Sequence, residues 1–277
     1  MLSRHLHSLS LALVLGTLAV ILSGAAQFGA PAGEPHRGLS GLVALLAVLT
    51  TVGSFGHSRT WLKRLSLACL VTVLALGTVG VLMTNSPWAV LLHACLSHLL
   101  FASAVALMVA TSPGWSAPPE ELVSDTGSPS LRTVSLVVPW AVMLQIVLGA
   151  IYRHLSLPVW PHLVGSLLVG CLLLYTGMVA LEAEEPVALV RSAAHWLLTV
   201  TVLQIAFGLG AFLGRVMASD GMAPEWWMIF ARTMHVATGA LTLGASVAYA
   251  MQVFYHVQPG ARPHPTGENK LGKSVVA

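Results

Sequence analysis

The chain has 277 residues, of which 56% are hydrophobic and only 8% are charged, and its mean hydropathy is +0.82. A soluble domain has about one-quarter charged residues, so this chain carries too few charges to cover a core of its size, and lipid is predicted to be its solvent. The net charge of +3 does not indicate nucleic-acid binding, because the basic residues are scattered through short segments instead of forming one patch.

Eight apolar segments are each long enough to cross a bilayer, since a spanning helix needs roughly 20 mainly apolar residues. The first is longer than the core of a typical signal peptide and is interpreted as a retained span. The chain is therefore predicted to be an all-α integral membrane protein. The predicted spans are 9–30, 37–56, 65–84, 88–111, 133–152, 159–181, 193–214 and 226–255.

A polar segment rich in Pro, Ser and Gly divides the chain near its middle. It predicts an N-terminal half at 1–115, a connecting loop at 116–130 and a C-terminal half at 131–257. Residues 258–277 are predicted to be a disordered tail. Short matches within each half indicate an internal repeat, so the halves are predicted to be two repeat-related four-helix bundles. The matches are LVLGT at 13–17 with LALGT at 74–78, and LQI at 144–146 with LQI at 203–205.

The distribution of Lys and Arg predicts the orientation in the membrane. More of these residues fall on the side of the two termini, and cytoplasmic loops carry the excess of Lys and Arg. We therefore expect a multi-pass protein of the cell (inner) membrane with both termini in the cytoplasm. The exceptions on the opposite side are Arg37, Arg153, Arg215 and Arg232.

Histidines recur near the outer ends of the even-numbered spans, where ionisable residues are rare and usually functional. His36 and His162 open spans two and six, and His98 and His235 align without gaps in spans four and eight. Two imidazoles that converge across an apolar bundle are suited to axial ligation of a haem iron, although such residues also serve as polar contacts between helices. His93, about 140° around the helix from His98, is interpreted as a further contact to the cofactor or substrate.

Other polar residues near these positions are candidates for supporting roles. Glu34 is a candidate proton acceptor beside His36, and Arg37 is a candidate partner for haem propionates. Gln145 and Gln204 occupy matching positions in spans five and seven, where they hydrogen-bond either a cofactor edge or a neighbouring helix.

Several motifs resemble the haem A synthase family of haem-copper oxidase assembly proteins. The segment Glu34-Pro35-His36-Arg37 resembles the Glu-x-x-His-Arg signature of that family, although Glu34 stands two residues before the histidine and not three. Further similar segments are QIVLGA at 145–150, WPHLVG at 160–165 and QIAFG at 204–208. The cysteine pair found in many members is missing between spans one and two.

The resemblance implies eight spans in two halves and an oxidoreductase that converts haem O to haem A. A porphyrin methyl group would be oxidised to a formyl group with oxygen from water. His36 and His98 would hold the substrate haem O near Glu34, and His162 and His235 would hold a haem b cofactor. The implied partners are haem O synthase and oxidase assembly factors.

Two other functions remain open from the sequence. A di-haem b cytochrome for quinol-linked electron transfer would use the same histidines without oxidising a substrate. A small-molecule transporter would also have repeat-related halves. Whether the chain forms a homo-oligomer is left open.

Overall fold

The computed structural model describes residues 2–26, 33–82, 86–115, 119, 122–125, 127–182, 187–218 and 225–259. It confirms the all-α prediction, because eight helices of 21 to 31 residues are long and apolar enough to cross a membrane. The helices are α1 (Leu2–Ala26), α2 (Glu34–Ser54), α3 (Thr60–Leu82), α4 (Pro87–Ala110), α5 (Leu131–Leu155), α6 (Trp160–Glu182), α7 (Ala188–Ala218) and α8 (Trp226–His256).

Six of the eight helices begin before the apolar segments that predicted them. The first span was predicted to begin at residue 9, whereas α1 begins at Leu2, because hydropathy marks only the apolar part of a helix and polar residues continue it into the interface. His7, in this early part, lies with its Nδ1 3.1 Å from the carbonyl oxygen of Met108. That contact ties the start of α1 to the end of α4.

Each run of four helices packs into a closed ring. In the first half, consecutive helices contact one another and α1 contacts α4; in the second half, consecutive helices also contact and α5 contacts α8. The halves meet where α8 packs against α4 and α1, and where α4 meets α5. Gly244 of α8 permits close packing there, since a Cβ on it would lie only 2.7 Å from Cε1 of Phe101. The repeat relationship between the halves stays a prediction.

A two-stranded parallel sheet joins the central connection to the end of α8. Strand β1 (Val123–Asp125) pairs with β2 (Val257–Pro259), so the predicted loop at 116–130 contains a strand. The predicted disordered tail began at residue 258, but its first two residues belong to β2, and the rest lies outside the described residues. Arg132 braces this sheet, because its backbone N–H donates to Asp125 Oδ2 at 3.0 Å and its guanidinium donates to the carbonyl of Val257.

Large apolar side chains cover the outside of the helices. Val81, Leu167 and Trp140 are among many that are well exposed. Exposed apolar surface on this scale is a liability in water but is the normal surface of a helix in lipid. The fold is that of a multi-pass membrane protein.

Candidate functional site

Four histidines occupy one recurrent position at one end of the molecule. We call this the histidine end; it is the end at which α2, α4, α6 and α8 begin. Each ring lies against a glycine of the preceding helix, and the carbonyl four residues before that glycine faces the ring. The pairs are His36 with Gly24, His93 with Gly80, His162 with Gly149, and His235 with Gly208. The four carbonyls belong to Val20, Leu76, Gln145 and Gln204.

In the second half, the rings press closely on the glycines. A Cβ added to Gly149 would lie 2.9 Å from Cε1 of His162, and one added to Gly208 would lie 2.9 Å from Cε1 of His235. Ordinary contacts of a Cβ are 3.4–4 Å, so only glycine lets these rings reach the helix backbone. The glycines therefore fix how deeply the imidazoles sit between the helices.

The two rings of the second half lie next to each other in a T-shaped arrangement. The ring centroids of His162 and His235 are 6.2 Å apart, with an interplanar angle of 82°. Imidazole nitrogens that each lie about 2 Å from one metal ion, on opposite sides, place the ring centroids about 6 Å apart. The separation is one that would let His162 and His235 together hold one metal ion.

Hydrogen bonds to the ring nitrogens orient the second pair. His235 Nδ1 lies 3.3 Å from the carbonyl oxygen of Gln204, so a proton on Nδ1 can be donated to that oxygen. His162 Nδ1 lies 2.9 Å from the side-chain nitrogen of Gln145, which also donates to the His162 carbonyl oxygen at 2.7 Å. Donation from Nδ1 leaves Nε2 of His235 with a lone pair for a metal, whereas a neutral His162 that accepts the amide N–H on Nδ1 carries its proton on Nε2.

In the first half, His36 and His93 occupy the corresponding positions, against Gly24 and Gly80. His36 Nδ1 lies 2.9 Å from the hydroxyl of Ser23, whereas His93 Nδ1 is buried without a hydrogen-bond partner among the described residues. A Cβ on Gly80 would stand 3.7 Å from His93 Cε1, so this ring sits less deeply than the other three.

His98 lies elsewhere. It is buried with 6% of its surface exposed, its Nδ1 is 2.7 Å from the carbonyl oxygen of Ala94 on its own helix, and its ring faces the backbone of Val236 on α8. These contacts place His98 at the seam between the halves. The gap-free alignment paired His98 with His235, but it is His93 that shares the glycine contact of His235 and lies near His36.

No family model matches this chain, and no curated protein matches its sequence.

Glu34 and Arg37 lie in the first turn of α2. Their side chains form an ion pair of 3.4 Å and are 90% and 66% exposed, respectively. The carboxylate thus engages Arg37, and no described contact joins it to His36. Both residues remain at the histidine end, at the edge of the first pair.

Gln145 and Gln204 both bond to neighbouring helices. The side chain of Gln145 bonds to His162 on α6, and Gln204 accepts a hydrogen bond from the hydroxyl of Thr238 on α8. Of the two roles considered for these glutamines, hydrogen bonding to a neighbouring helix is therefore the one that both side chains have. Each glutamine also stands four residues before a glycine that contacts a histidine, so both positions belong to the recurrent arrangement.

Sequence reasoning missed the glycines and one group of cations. The glycines had a signal, because Gly80 and Gly149 each precede their histidine by 13 residues and Gly24 by 12. The cations were counted only as exceptions to the orientation. Arg153, Arg215 and Arg232 come from three helices, and Arg232 interacts electrostatically with both of the others.

Proposed function

We propose that this chain is a membrane haem protein with one haem-binding histidine pair in each half, His36 with His93 and His162 with His235. The observation that carries the proposal is the recurrence of one arrangement four times: an imidazole on an even-numbered helix, a glycine beneath it and a backbone carbonyl facing it. A histidine that serves only as a polar contact does not need the same arrangement at four positions.

The residues present fit a haem better than a bare metal ion. Among the described residues no group of three or more His, Cys, Asp or Glu could hold a metal, and zinc sites need at least three protein ligands. Two imidazoles suffice when a porphyrin supplies the other four ligands of an iron. The buried Nδ1 of His93, which lacks a described partner, can turn to the carbonyl of Leu76 once Nε2 is bound.

The chain would bind, orient and shield the haems, which supply one-electron redox chemistry at iron. The glycines set the depth of each ring, and the carbonyl of Gln204 would hold the proton on Nδ1 of His235 so that its Nε2 keeps its lone pair. The apolar helices exclude water from the space between each pair. Such surroundings also influence the redox potential.

The activity we propose is that of a haem A synthase, with haem O as substrate in the first half and haem b as cofactor in the second. Oxidation of a methyl to a formyl group consumes one water and releases four protons and four electrons, which pass to an acceptor in the membrane. Glu34, at the edge of the first pair, is the candidate catalytic acceptor for these protons. The motifs around His36 and His162 support this assignment, which includes a cell-membrane location with cytoplasmic termini and supply of substrate by haem O synthase.

The position of Glu34 favours a second candidate, a di-haem b cytochrome that passes electrons without oxidising a substrate. The carboxylate is 90% exposed and paired with Arg37, whereas a catalytic acceptor must reach the reacting group. The same four histidines serve this function. The identity of the haem in the first half distinguishes the two.

The test is to purify the full chain from cells that make haem O and to identify the extracted haems by chromatography, alongside a reduced-minus-oxidised spectrum. Haem O or A together with haem b supports the synthase. Haem b alone supports the cytochrome and contradicts the synthase, and a protein without haem overturns both.

Variants assign each haem to its half. His36→Ala should lose the first-half haem and His162→Ala the second-half haem. His195→Ala is a matched control, because His195 is exposed on α7 away from the histidine end. Loss of haem in the control, or retention of both haems in either ligand variant, would contradict the assignment.

A further inference from the structure

A cavity lies at the end of the molecule opposite the histidine end, where α2 and α4 end and α3 begins. Its volume is about 240 Å³. The short connection between α2 and α3 contributes His57, Ser58 and Arg59 to its lining, and Leu6 of α1 and Ala110 of α4 also line it. We call it the Arg59 cavity.

The polar groups that the connection brings to this cavity can all donate hydrogen bonds. Nδ1 of His57 accepts the backbone N–H of Arg59 at 3.2 Å, so a neutral ring carries its proton on Nε2. One nitrogen of the Arg59 guanidinium donates to the carbonyl oxygen of Trp115 at 2.6 Å, and within the described part of the chain its other N–H groups have no partner. The hydroxyl of Ser58 likewise bonds to no described residue. Such a set of donors is suited to an anion.

Positive charge beside the cavity is not balanced by a described carboxylate. Arg59 directly precedes α3, and Lys63 and Arg64 lie in the first two turns of that helix, whose first turn holds no acidic residue. The one ion pair between two described residues joins Glu34 to Arg37 at the histidine end. Because the N-terminal end of a helix favours anions, the three cations have neither a described acidic partner nor a favourable helix end.

The cavity lies at the level of the lipid headgroups. Helix α2 ends at Ser54 and α3 begins at Thr60, so Arg59 belongs to a connection at the membrane boundary. Trp61 is 43% exposed there, and tryptophan is enriched where a membrane meets water. This side is the one predicted to be cytoplasmic, and the cytoplasmic leaflet carries anionic lipids. The phosphate of such a lipid lies at the depth of the cavity.

The cavity also borders the contact between the two halves. Trp115, whose carbonyl binds Arg59, lines it. The Trp115 ring stacks on Tyr255 with a centroid separation of 4.3 Å, and its Nε1 donates to Oε1 of Gln252 at 3.3 Å. Tyr255 and Gln252 both belong to α8. A ligand held by Arg59 would therefore also stabilise the packing of Trp115 on the second half.

We propose that the Arg59 cavity binds a phosphate group, with the Arg59 guanidinium, Nε2 of His57 and the hydroxyl of Ser58 as donors. Arginine binds phosphate through paired hydrogen bonds. The position at headgroup level favours an anionic phospholipid as the source of this group, and free phosphate is the other source with the same chemistry. The site involves none of the histidines at the opposite end, so it does not depend on haem binding.

The test is calorimetric titration of the full chain, freed of lipid in a neutral detergent, with three probes. They are dihexanoylphosphatidylglycerol, inorganic phosphate, and dihexanoylglycerol, which has the same acyl chains without the phosphate. We expect saturable binding of the phospholipid and none of dihexanoylglycerol. Inorganic phosphate that binds as tightly as the phospholipid would support the phosphate site with free phosphate as its source. The proposal is wrong if neither phosphate compound binds, or if dihexanoylglycerol binds as tightly as the phospholipid.

Variants assign the binding to the cavity. Arg59→Gln should weaken binding of the tighter phosphate probe by at least about tenfold, because charge-assisted hydrogen bonds are lost. Arg191→Gln is the matched control, since it removes the same charge at the same end of the molecule but on the exposed start of α7; it should leave the affinity unchanged. An equal loss in both variants would mean a general attraction between basic residues and anions, and would overturn the proposal.

Thermal unfolding provides a measurement that needs no variant. A ligand that binds only the folded chain raises the unfolding midpoint as its concentration rises, so the tighter phosphate probe should raise it and dihexanoylglycerol should not. A midpoint that no phosphate compound changes would contradict the proposal. Because Arg59 also bonds to Trp115, Arg59→Gln could fold poorly, and the comparison of the three probes on the unsubstituted chain then decides.

Discussion

Replacing Gly208 with Ala tests whether the glycine contacts position haem ligands. The new Cβ would lie 2.9 Å from Cε1 and 3.1 Å from Nδ1 of His235. Because an ordinary contact begins near 3.4 Å, the ring must retreat by about 0.5–1 Å. Metal–ligand distances tolerate only about 0.2 Å, so the ring cannot retreat this far and remain bound without strain.

The expected cost follows from the overpacking. Inserting a methyl group into a packed site costs about 1–3 kcal/mol, which corresponds to about a 5- to 150-fold loss of haem affinity. Ala is a better helix former than Gly by about 1 kcal/mol, so α7 itself should not be weakened. The effect should therefore appear in haem binding and not in helix content.

The assay is the haem-to-protein ratio of the purified variant, with the low-spin signal of the bis-histidine iron as a second readout. Gly80→Ala is a graded comparison, since its Cβ would stand 3.7 Å from His93 and should be tolerated. Gly77→Ala is the neutral control, because nothing lies within 4 Å of the added atom. A Gly208→Ala protein with full haem content and an unchanged low-spin signal would refute the reasoning.

Three further predictions address other residues. In the reduced-minus-oxidised spectrum, His93→Ala should lack the signal of the first-half haem. His98→Ala should keep both haems and have a lower thermal unfolding midpoint, since His98 packs between the halves. Loss of haem on replacing His98 alone would reverse this assignment. Glu34→Gln should leave haem content unchanged because the carboxylate is exposed, and should stop formation of haem A if Glu34 accepts protons; haem A formed at the normal rate would exclude that role. Trp115→Ala should destabilise the fold by about 3–5 kcal/mol in thermal or denaturant unfolding, since Trp115 stacks on Tyr255 at 4.3 Å; an unchanged midpoint would show that this stack contributes nothing.

The helices could be predicted from hydropathy because lipid imposes both length and composition on them. The apolar run within α3, for example, has no competing interpretation as a soluble core. The polar start of α1 could not be predicted in the same way, since Arg4 and His5 resemble a loop in composition. Arg4 and His5 are helical because they continue, toward the N-terminus, the helix formed by the apolar part of α1.

The grouping of histidines at one end of the molecule could be predicted in part, whereas their role as haem ligands stays a prediction. His36, His162 and His235 stood out because ionisable residues are rare within apolar spans. The choice between His93 and His98 depended on a gap-free alignment, and two histidines five residues apart cannot be ranked by spacing alone. What distinguishes them is the neighbour across the helix interface, Gly80 for His93 and the backbone of Val236 for His98, and this is a property of packing.

The arginine cluster could not be predicted from charge counting. Arg153, Arg215 and Arg232 are separated by 62 and 17 positions in the sequence, and each looks like an isolated interfacial cation. Their proximity results from the contacts of α8 with α5 and α7. Sequence alone gives no reason to group them.

The parallel pairing of β1 with β2 determines where the chain can be cut. The strand Val123–Asp125 precedes α5, yet its partner follows α8, so the connection between the halves is structurally part of the second one. A second half expressed separately from Leu131 would lack β1 and the Asp125 contact of Arg132, and would leave β2 as an unpaired edge. A second half that starts upstream of Val123 keeps the pairing of β1 with β2, so that β2 is not left as an unpaired edge.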